Sequence, residues 1–515
     1  MITRLVALRA RLLRLLGAMS MYRLVLWALI ALAVIAFVVS FSGQLAAQPL
    51  ALALSAAVLI VSVGVVDVIG HLVLRRPIRV ESGLITALIL LFVLAPTTEP
   101  AGLGVLAAAV AVASASKYLL AFRARHLFNP AAFGAAIVTI TGLGFSAWWV
   151  GTPLLAGAVV VLGVAVVLRA GQGRTALTFI VVAAAVSFAF TFVQAAQFSL
   201  AVDPVAAALQ VLFSSPILFL GLFMMTEPLT LPVRSGWRIV EAVLVGVLVG
   251  WPGLLGAYLA PETALLLGNL LAFAVSVDRR RTLRLRVGSR RALSPEITEL
   301  TLVPSRPLSF TPGQYLELEV PHRRADLRGT RREFSVVSEP GADDLRIAYR
   351  TPATGRVSTF KRALDDVAPG ADLRATGITG SFTLPAETAQ PVMLLGAGIG
   401  VTPLVSQLRA DLSAAVRRDV VLVLVASSAA ELIYVPELAS TGARVIVVTP
   451  DDPGPLPEQW AWAGGARLDA DGLSALVPDL GKRYAYVSGP PALIAALAPA
   501  LRGARRVVTD AFAGY

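Results

Sequence analysis

Three glycines spaced two apart, Gly396, Gly398 and Gly400, stand between the apolar run "PVMLL" and the amphipathic run "VTPLVSQLRADL". Glycine lets the chain turn tightly and lets backbone approach a ligand closely. Thr402 suits an N-cap and Pro403 the first helical position. A helix that starts this way can face a diphosphate, because its unpaired N–H groups and its dipole favour negative charge. A second word with chemical potential is written twice: Thr-Glu-Pro at 98–100 and again at 226–228. Both copies lie amid apolar sequence, where an acid and a hydroxyl need partners that a bound polar ligand can supply.

The composition says what surrounds these groups. The chain has 515 residues, enough for two or three domains; 57% are hydrophobic and only 15% charged. That is a membrane composition, but it is split: before about residue 278 the chain is a series of apolar runs, and after it charged and apolar residues mix as in a soluble protein. The net charge of +12 fits lipid headgroups and the positive-inside rule better than nucleic acid, which is not expected as a partner. There is no cysteine, which removes disulfides and thiolate-held metal or iron–sulfur centres. With three histidines, His71, His126 and His322, any redox cofactor is expected to be organic and no metal site is expected. The absence of a second histidine pair excludes a two-haem path.

Runs near the length a bilayer needs fall at 24–43, 48–74, 82–97, 101–120, 130–150, 152–169, 175–198, 204–225, 238–258 and 262–277. Arg and Lys gather before the first run and after runs two, four, six, eight and ten, while alternate loops such as 43–48, 97–101 and 258–262 hold none. This alternation predicts a multi-pass protein of the cytoplasmic membrane with both termini cytoplasmic. The basic Met1–Arg23 segment is expected to lie along the membrane surface. Glu99 ends run three and Glu227 run eight; the chain's two asparagines, Asn129 and Asn269, fall in runs five and ten. Features five helices apart predict an inverted five-helix repeat with a site at the repeat interface. Candidates there are Ser82, Thr86, Asn129, Ser214, Thr226 and Glu227; for Ser82, Thr86 and Ser214, ligand binding and helix–helix hydrogen bonding stay open as alternatives.

The words "ESGLITALILLFVLAP", "SKYLLAFRARHLFNPAAFG" and "FMMTEPLTLP" resemble RnfD and NqrB, membrane subunits of bacterial respiratory complexes that couple redox reactions to ion movement. That family carries FMN esterified to a threonine in an S-G-A-T type motif. No such tetrapeptide occurs here, so the resemblance implies a non-covalent FMN or other flavin in this region. After residue 281, short β-type runs such as "ITELTLVP", "QYLELEVP" and "LRIAYR" suit an antiparallel barrel. There, "RREFSVVS" resembles the R-x-[YF]-S-x-x-S signature of the ferredoxin–NADP reductase superfamily. The resemblance implies that Arg332 contacts the FAD pyrophosphate, which a guanidinium fork suits, and that Phe334 and Ser335 contact the flavin. "GRVSTF" resembles the family's phosphate segment, with Gly355 and Ser358. The Gly396–Pro403 stretch resembles its nicotinamide-nucleotide motif. "YAYVSGPPALI" resembles V-C-G-P-x-x-M, with Ser488 in place of the Cys near the hydride path, followed by Gly489 and Pro490. The family often ends on an aromatic against the flavin ring, for which Phe512 and Tyr515 are candidates. Ser427 or Ser428 stands where an Arg often marks NADPH, which favours NADH, although serines also hold phosphate.

The expected architecture is therefore a polytopic α-helical membrane domain (1–280), an antiparallel β-barrel FAD domain (281–387) and an α/β nucleotide-binding domain (388–515), the latter two cytoplasmic. The expected function is transfer of electrons from NADH or NADPH through FAD and a membrane flavin to an extracytoplasmic acceptor, such as a flavinylated partner protein. Reduction of membrane quinone, and redox-driven Na⁺ or H⁺ transport through Glu99, Glu227 or Asp67, are the alternatives. A transporter with a regulatory reductase belongs to a different class; it would move substrate without oxidising NAD(P)H.

Overall fold

A computed structural model describes residues 21–74, 80–122, 125–276, 283–322, 325–326, 329–352 and 357–511. The chain divides into two compact units, Met19–Arg280 and, in its sheet-bearing part, Arg281–Tyr515.

The first unit is helical. Its helices are α1 Met21–Ser40, α2 Pro49–Leu74, α3 Val80–Val93, α4 Pro100–Leu119, α5 Pro130–Ile140, α6 Pro153–Ala170, α7 Gly173–Gln197, α8 Pro204–Phe213, α9 Ser235–Gly250 and α10 Pro261–Ala274. Among the described residues, five are long and apolar enough to cross a bilayer: α1, α2 through Gly70, α4, α6 and α7. A sixth candidate is α8 together with Ile217–Met224, bent by 44°. The bend sits at Ser214-Ser215-Pro216: proline lacks the N–H that would continue the ladder, and Ser215 Oγ donates back to the Val211 carbonyl. Beyond it the chain passes through a π-helical turn, Leu220–Met224.

Several of the expected spans are shorter than the sequence predicts, α9 with 16 residues among them. α3, α5 and α10 have 14, 11 and 14 residues, roughly 17–21 Å at 1.5 Å per residue. Pro96 disfavours helix just before it, and α3 stops at Val93, whose carbonyl instead accepts from the Ala147 and Trp148 N–H groups. α5 stops at Ile140, ahead of Gly142 with φ +70°. Close packing holds these pieces. A Cβ on Gly163 of α6 would lie 2.6 Å from Leu222 Cβ, and one on Gly221 would lie 2.8 Å from the Phe179 ring of α7. The Met1–Arg23 surface helix falls, up to residue 20, outside the described residues, as does the basic 279–281 stretch.

The second unit holds two six-stranded sheets. Strands β1 Leu283–Ala292, β2 Ile297–Pro304, β3 Tyr315–Glu319, β4 Arg331–Ser335, β5 Leu345–Arg350 and β6 Asp372–Ala375 form an antiparallel sheet in the order β4-β3-β6-β1-β2-β5. Alternation sets its faces: Leu283, Leu285 and Val287 are buried while Arg284 and Arg286 between them are exposed. The other sheet is parallel: β7 Val392–Ala397, β8 Val420–Val425, β9 Arg444–Val448, β10 Trp460–Trp462, β11 Tyr484–Gly489 and β12 Arg506–Ala511, in the order β10-β9-β8-β7-β11-β12. Its central strands are buried on both faces, as their unbroken apolar runs require. The order reverses between β7 and β11, which makes a crevice beyond their C-terminal ends.

The two sheets share a core. Ile297, Val337 and Phe382 pack with Val392, Leu394 and Tyr486. Polar ties reinforce it: Tyr434 donates to Glu299 at 2.8 Å, Arg291 to Glu437 at 2.7 Å, and Ser406 to the Ser338 carbonyl at 2.7 Å.

Candidate functional site

At the reversal between β7 and β11, two loops meet backbone to backbone. A Cβ on Gly400 would come within 2.4 Å of the Ser488 carbonyl oxygen, and one on Gly489 within 2.9 Å of Ala397 Cβ. Gly398 holds φ +53°, the left-handed region that glycine enters without strain. Ser488 pairs in register with Gly396 on one side and Asp510 on the other. It is fully buried, and its Oγ has no hydrogen-bond partner. A buried, unmatched hydroxyl is uncommon. Together with the close glycine backbone, it fits a ligand that brings a polar group to this crevice, as a dinucleotide would. Burial pushes the neighbouring Asp510 carboxyl up to about 6.

Thr402 is not the N-cap. The chain is already helical through the 3₁₀ turn Gly398–Val401, so Val401 takes the cap position, and Thr402 is buried with its hydroxyl donating to the Ile399 carbonyl at 2.9 Å. Pro490 is exposed at the end of β11.

In the barrel, Arg332 sits on β4. Its guanidinium donates to Asp326 at 3.1 Å and to the carbonyls of Gly329 and Arg331, and it lies 5.0 Å from the Phe360 ring. Phe334 was expected at the flavin. The structure puts its ring in the barrel core, stacked on Phe360 with centroids 6.0 Å apart. With no phenolic hydroxyl to satisfy, nothing in the side chain opposes full burial. Ser335 is buried opposite Tyr315. Ser358 caps the helix α11, Thr359–Asp365, by accepting from the Lys361 N–H at 3.2 Å. Gly355, Phe512 and Tyr515 lie outside the described residues.

The helical unit contains a cavity with about 540 Å³ of empty space, part of it open to solvent. Ser82, Thr86, Asn129, Thr226 and Glu227, drawn from three separate stretches of sequence, all line it. Val25 of α1, Ile85 and Ile89 of α3, Val166 of α6 and Phe223 of the π-helical turn supply apolar wall. Asn129 is the polar hub. Its Nδ2 donates to Glu227 Oε2 at 2.8 Å, its Oδ1 caps α5 at the Ala132 N–H, and its own N–H donates to Asn269 Oδ1 at 2.8 Å. Asn269 Nδ2 reaches Glu241 Oε1 at 3.4 Å. The chain's two asparagines therefore meet. The hydroxyls of Thr86 and Thr226 donate to carbonyls one turn back, at Ser82 and Leu222.

The doubled word does not place its two acids alike. Glu99 is exposed just before α4, away from the cavity that Glu227 lines. Ser214 is exposed, and Thr230, though buried, does not line the cavity. Asp67 accepts from Ser114 Oγ at 2.6 Å, also outside the lining. The sequence reading missed three buried groups. Lys117, taken as a loop charge, is buried in the last turn of α4 and donates to the Ser82 carbonyl at 2.9 Å. Glu262 of α10 is fully buried, accepting from Thr139 and Trp148 at 3.0 Å each. Glu241 of α9 is buried beside Gly268. A lone acid inside an apolar run is the signal that could have found both glutamates.

No family model matches the chain. Curated relatives do. It is 32% identical over 200 residues to the reductase subunit of an aromatic O-demethylase from an Amycolatopsis species, covering 37% of this chain and 56% of that one. It is 32% identical over 211 residues to the ferredoxin–NAD(+) reductase component of the alkene monooxygenase system of Xanthobacter autotrophicus, covering 40% and 61%. The chain thus spans less than two thirds of the length of these two relatives. The match to ferredoxin–NADP reductase B of Sorangium cellulosum is 31% over 209 residues, covering 39% of this chain and 80% of that reductase. With four fifths of that protein matched, and with an antiparallel sheet packed on a parallel one in its second unit, the chain belongs to the ferredoxin–NADP reductase family.

Proposed function

We propose that the chain is a membrane-bound flavin oxidoreductase that takes electrons from cytoplasmic NAD(P)H and delivers them, through FAD and a second flavin held in the helical unit, to an extracytoplasmic acceptor. The observation that carries this reading is the pairing, in one chain, of a ferredoxin–NADP reductase unit with an apolar unit whose cavity gathers five polar residues from three separate stretches of sequence. In this reading, residues 281–387 hold FAD and 388–515 hold the nicotinamide nucleotide. Bound FAD accepts a hydride as two electrons and releases them singly. The residues of the chain bind and orient. Arg332 offers a fork to a diphosphate, Gly398 and Gly400 admit the nucleotide backbone, and Ser488 offers its unmatched hydroxyl to the nicotinamide side of the crevice. The named relatives are reductase components of oxygenase systems; here the acceptor is taken to be a flavinylated redox protein outside the cytoplasmic membrane of a bacterium. The arginine alternation supports a multi-pass topology with both termini cytoplasmic. An apolar core about 30 Å thick is too wide for one electron jump, which is why the cavity needs an occupant.

A second reading rests on the charge of that cavity. Glu227 is the one charged residue in its described lining. A carboxylate beside a phosphate costs energy, so the lining suits an uncharged ring: the ring end of FMN with its phosphate outside, or a quinone. Flavin extraction from the purified full-length chain separates these. FAD plus a second flavin, with NAD(P)H oxidation reducing ferricyanide trapped inside sealed vesicles, is the expected result. FAD alone with quinone reduction selects the quinone reading; no flavin at all rejects both.

A further inference from the structure

Two arginines face each other across β1 and β6, where an opposite charge on either strand would bind better. Arg284 and Arg374 pair in register, so their side chains leave the sheet on the same face, and both are exposed. Like charges placed directly opposite destabilise a sheet. Among the described residues, neither arginine forms an ion pair. Glu319, which flanks Arg374 on β3, is held by Arg331 at 3.1 Å. Ser305, which flanks Arg284 just past β2, is uncharged, and its N–H donates to the Arg284 carbonyl at 3.0 Å. In the row that holds Arg286, that arginine stands between Asp372 and Val303. Its contact with Asp372 is 3.9 Å long and both side chains are well exposed, so the pair contributes little. Val303 is 47% exposed. A surface gives up stability of this kind where function needs the charge.

The patch sits at the strand end where the chain enters β1. Eight residues, 275–282, separate Leu283 from the end of the apolar helix α10 at Ala274. Fully extended, they span about 30 Å at 3.3–3.6 Å per residue, so in a membrane-embedded chain the patch stays within reach of the lipid headgroups. Cations beside an exposed aliphatic side chain suit that layer, where anionic lipids attract arginine and the acyl boundary accepts apolar groups. We infer that Arg284, Arg286 and Arg374 form a docking surface for anionic phospholipid headgroups, which holds the reductase unit on the cytoplasmic leaflet. This rests on the membrane reading proposed above and adds a contact to it.

The chain has no cysteine, so Ser305→Cys gives a single labelling point beside Arg284. The full-length protein, labelled there with a fluorophore, is reconstituted in phosphatidylcholine vesicles with and without phosphatidylglycerol. Each vesicle carries a trace of phosphatidylcholine spin-labelled on its headgroup, which quenches the fluorophore on contact. The expected result is stronger quenching with phosphatidylglycerol, removed by high salt because exposed charges are then screened. Arg374→Gln should lower the ratio of docked to free reductase about fivefold, the roughly 1 kcal/mol that one cation contributes near an anionic surface. Arg284→Glu sets opposite charges across the strands, so Tm should hold or rise while the added quenching is lost. Quenching that is equal in the two lipids, or that survives Arg284→Glu, overturns the inference and leaves the patch to an acidic protein, with the membrane reading still in place. A full-length chain that does not enter vesicles overturns both.

Discussion

In the sheet-bearing unit, the groups proposed to hold a ligand are mostly backbone: the amides around Gly398 and Gly400, the Ser488 carbonyl pressed against Gly400, and the strand ends that bring them together. In the helical unit they are side chains. Asn129, Glu227, Thr86 and Thr226 line one cavity because α3, α5 and the π-helical turn converge there. A backbone site needs small residues at fixed spacing and tolerates almost nothing else. A side-chain site needs only that a polar group be present and be met by a partner from another helix. The two sites should therefore break differently.

The largest effect is expected where backbone meets backbone. Gly400→Val forces a branched side chain toward the Ser488 carbonyl, which lies 2.4 Å from where a Cβ would sit. The β7 and β11 loops must part, and an error of about 1 Å in a reacting geometry costs on the order of a hundredfold in rate. NAD(P)H oxidation should fall by at least about that factor, while flavin content in the helical unit stays at the parent level. Loss of both together would show that the glycine serves folding of the whole chain.

The next effect probes the side-chain mode at a point away from the cavity. Glu262→Ala leaves the indole N–H of Trp148 without its buried acceptor, while the Thr139 hydroxyl still has the Ala135 carbonyl at 3.1 Å. An orphaned buried donor costs about 1–3 kcal/mol, so the helical unit should lose about 2 kcal/mol and melt earlier in detergent. Glu262→Gln keeps an acceptor and should lose less than half of that. Equal losses for the two variants would mean that the carboxylate's charge, and not its acceptor role, holds these helices together.

Much of this contrast was legible beforehand, and the illegible part has physical causes. Glycine spacing after an apolar run announced the β7 turn, because few residue types can make it. Apolar runs marked the positions of the ten helices named among the described residues, but not their lengths, since Pro96 and Gly142 end α3 and α5 by local rules that hydropathy averages over. Ser82, Thr86, Asn129, Thr226 and Glu227 were singled out one by one, and the cavity joins them. The Thr-Glu-Pro doubling pointed to Glu99 as firmly as to Glu227, yet only one faces the cavity, because the two words lead into different structure: α4 starts at once after Glu99, whereas turn residues come after Glu227. Lys117, Glu241 and Glu262 were missed because a buried charge looks in sequence like a surface one until its partner is known. Thr402 does not take the N-cap position that motif logic gives it, because the 3₁₀ turn before it is already helical.

A smaller effect sharpens the comparison at the doubled word. Thr226→Leu adds apolar bulk to the cavity wall and should reduce second-flavin content about tenfold, an affinity loss near 1.4 kcal/mol, with FAD unchanged. Glu99→Gln, on the exposed copy, should change neither flavin. If Glu99→Gln removes the second flavin and Thr226→Leu does not, the cavity is not its site.

The smallest effect belongs to an ion pair just before the start of β11. The Arg483 guanidinium, hydrogen-bonded to Asp479, holds that carboxyl below the usual aspartate range. A carboxyl whose folded value is depressed contributes stability above its unfolded value, about 3.9, and that contribution disappears as the pH falls through the lower folded value. Asp479 is well exposed, and Arg483 keeps Asp419 at 2.9 Å as a second partner. The contribution is therefore that of a screened surface pair, less than about 1 kcal/mol. Asp479→Asn should lower Tm by a degree or two at pH 7, and the difference should close as the pH falls below the unfolded value of about 3.9. A gap that persists undiminished at the acid end would mean the asparagine costs packing and not charge. It would place this corner of the unit with the side-chain-held helices instead of with the screened surface around it.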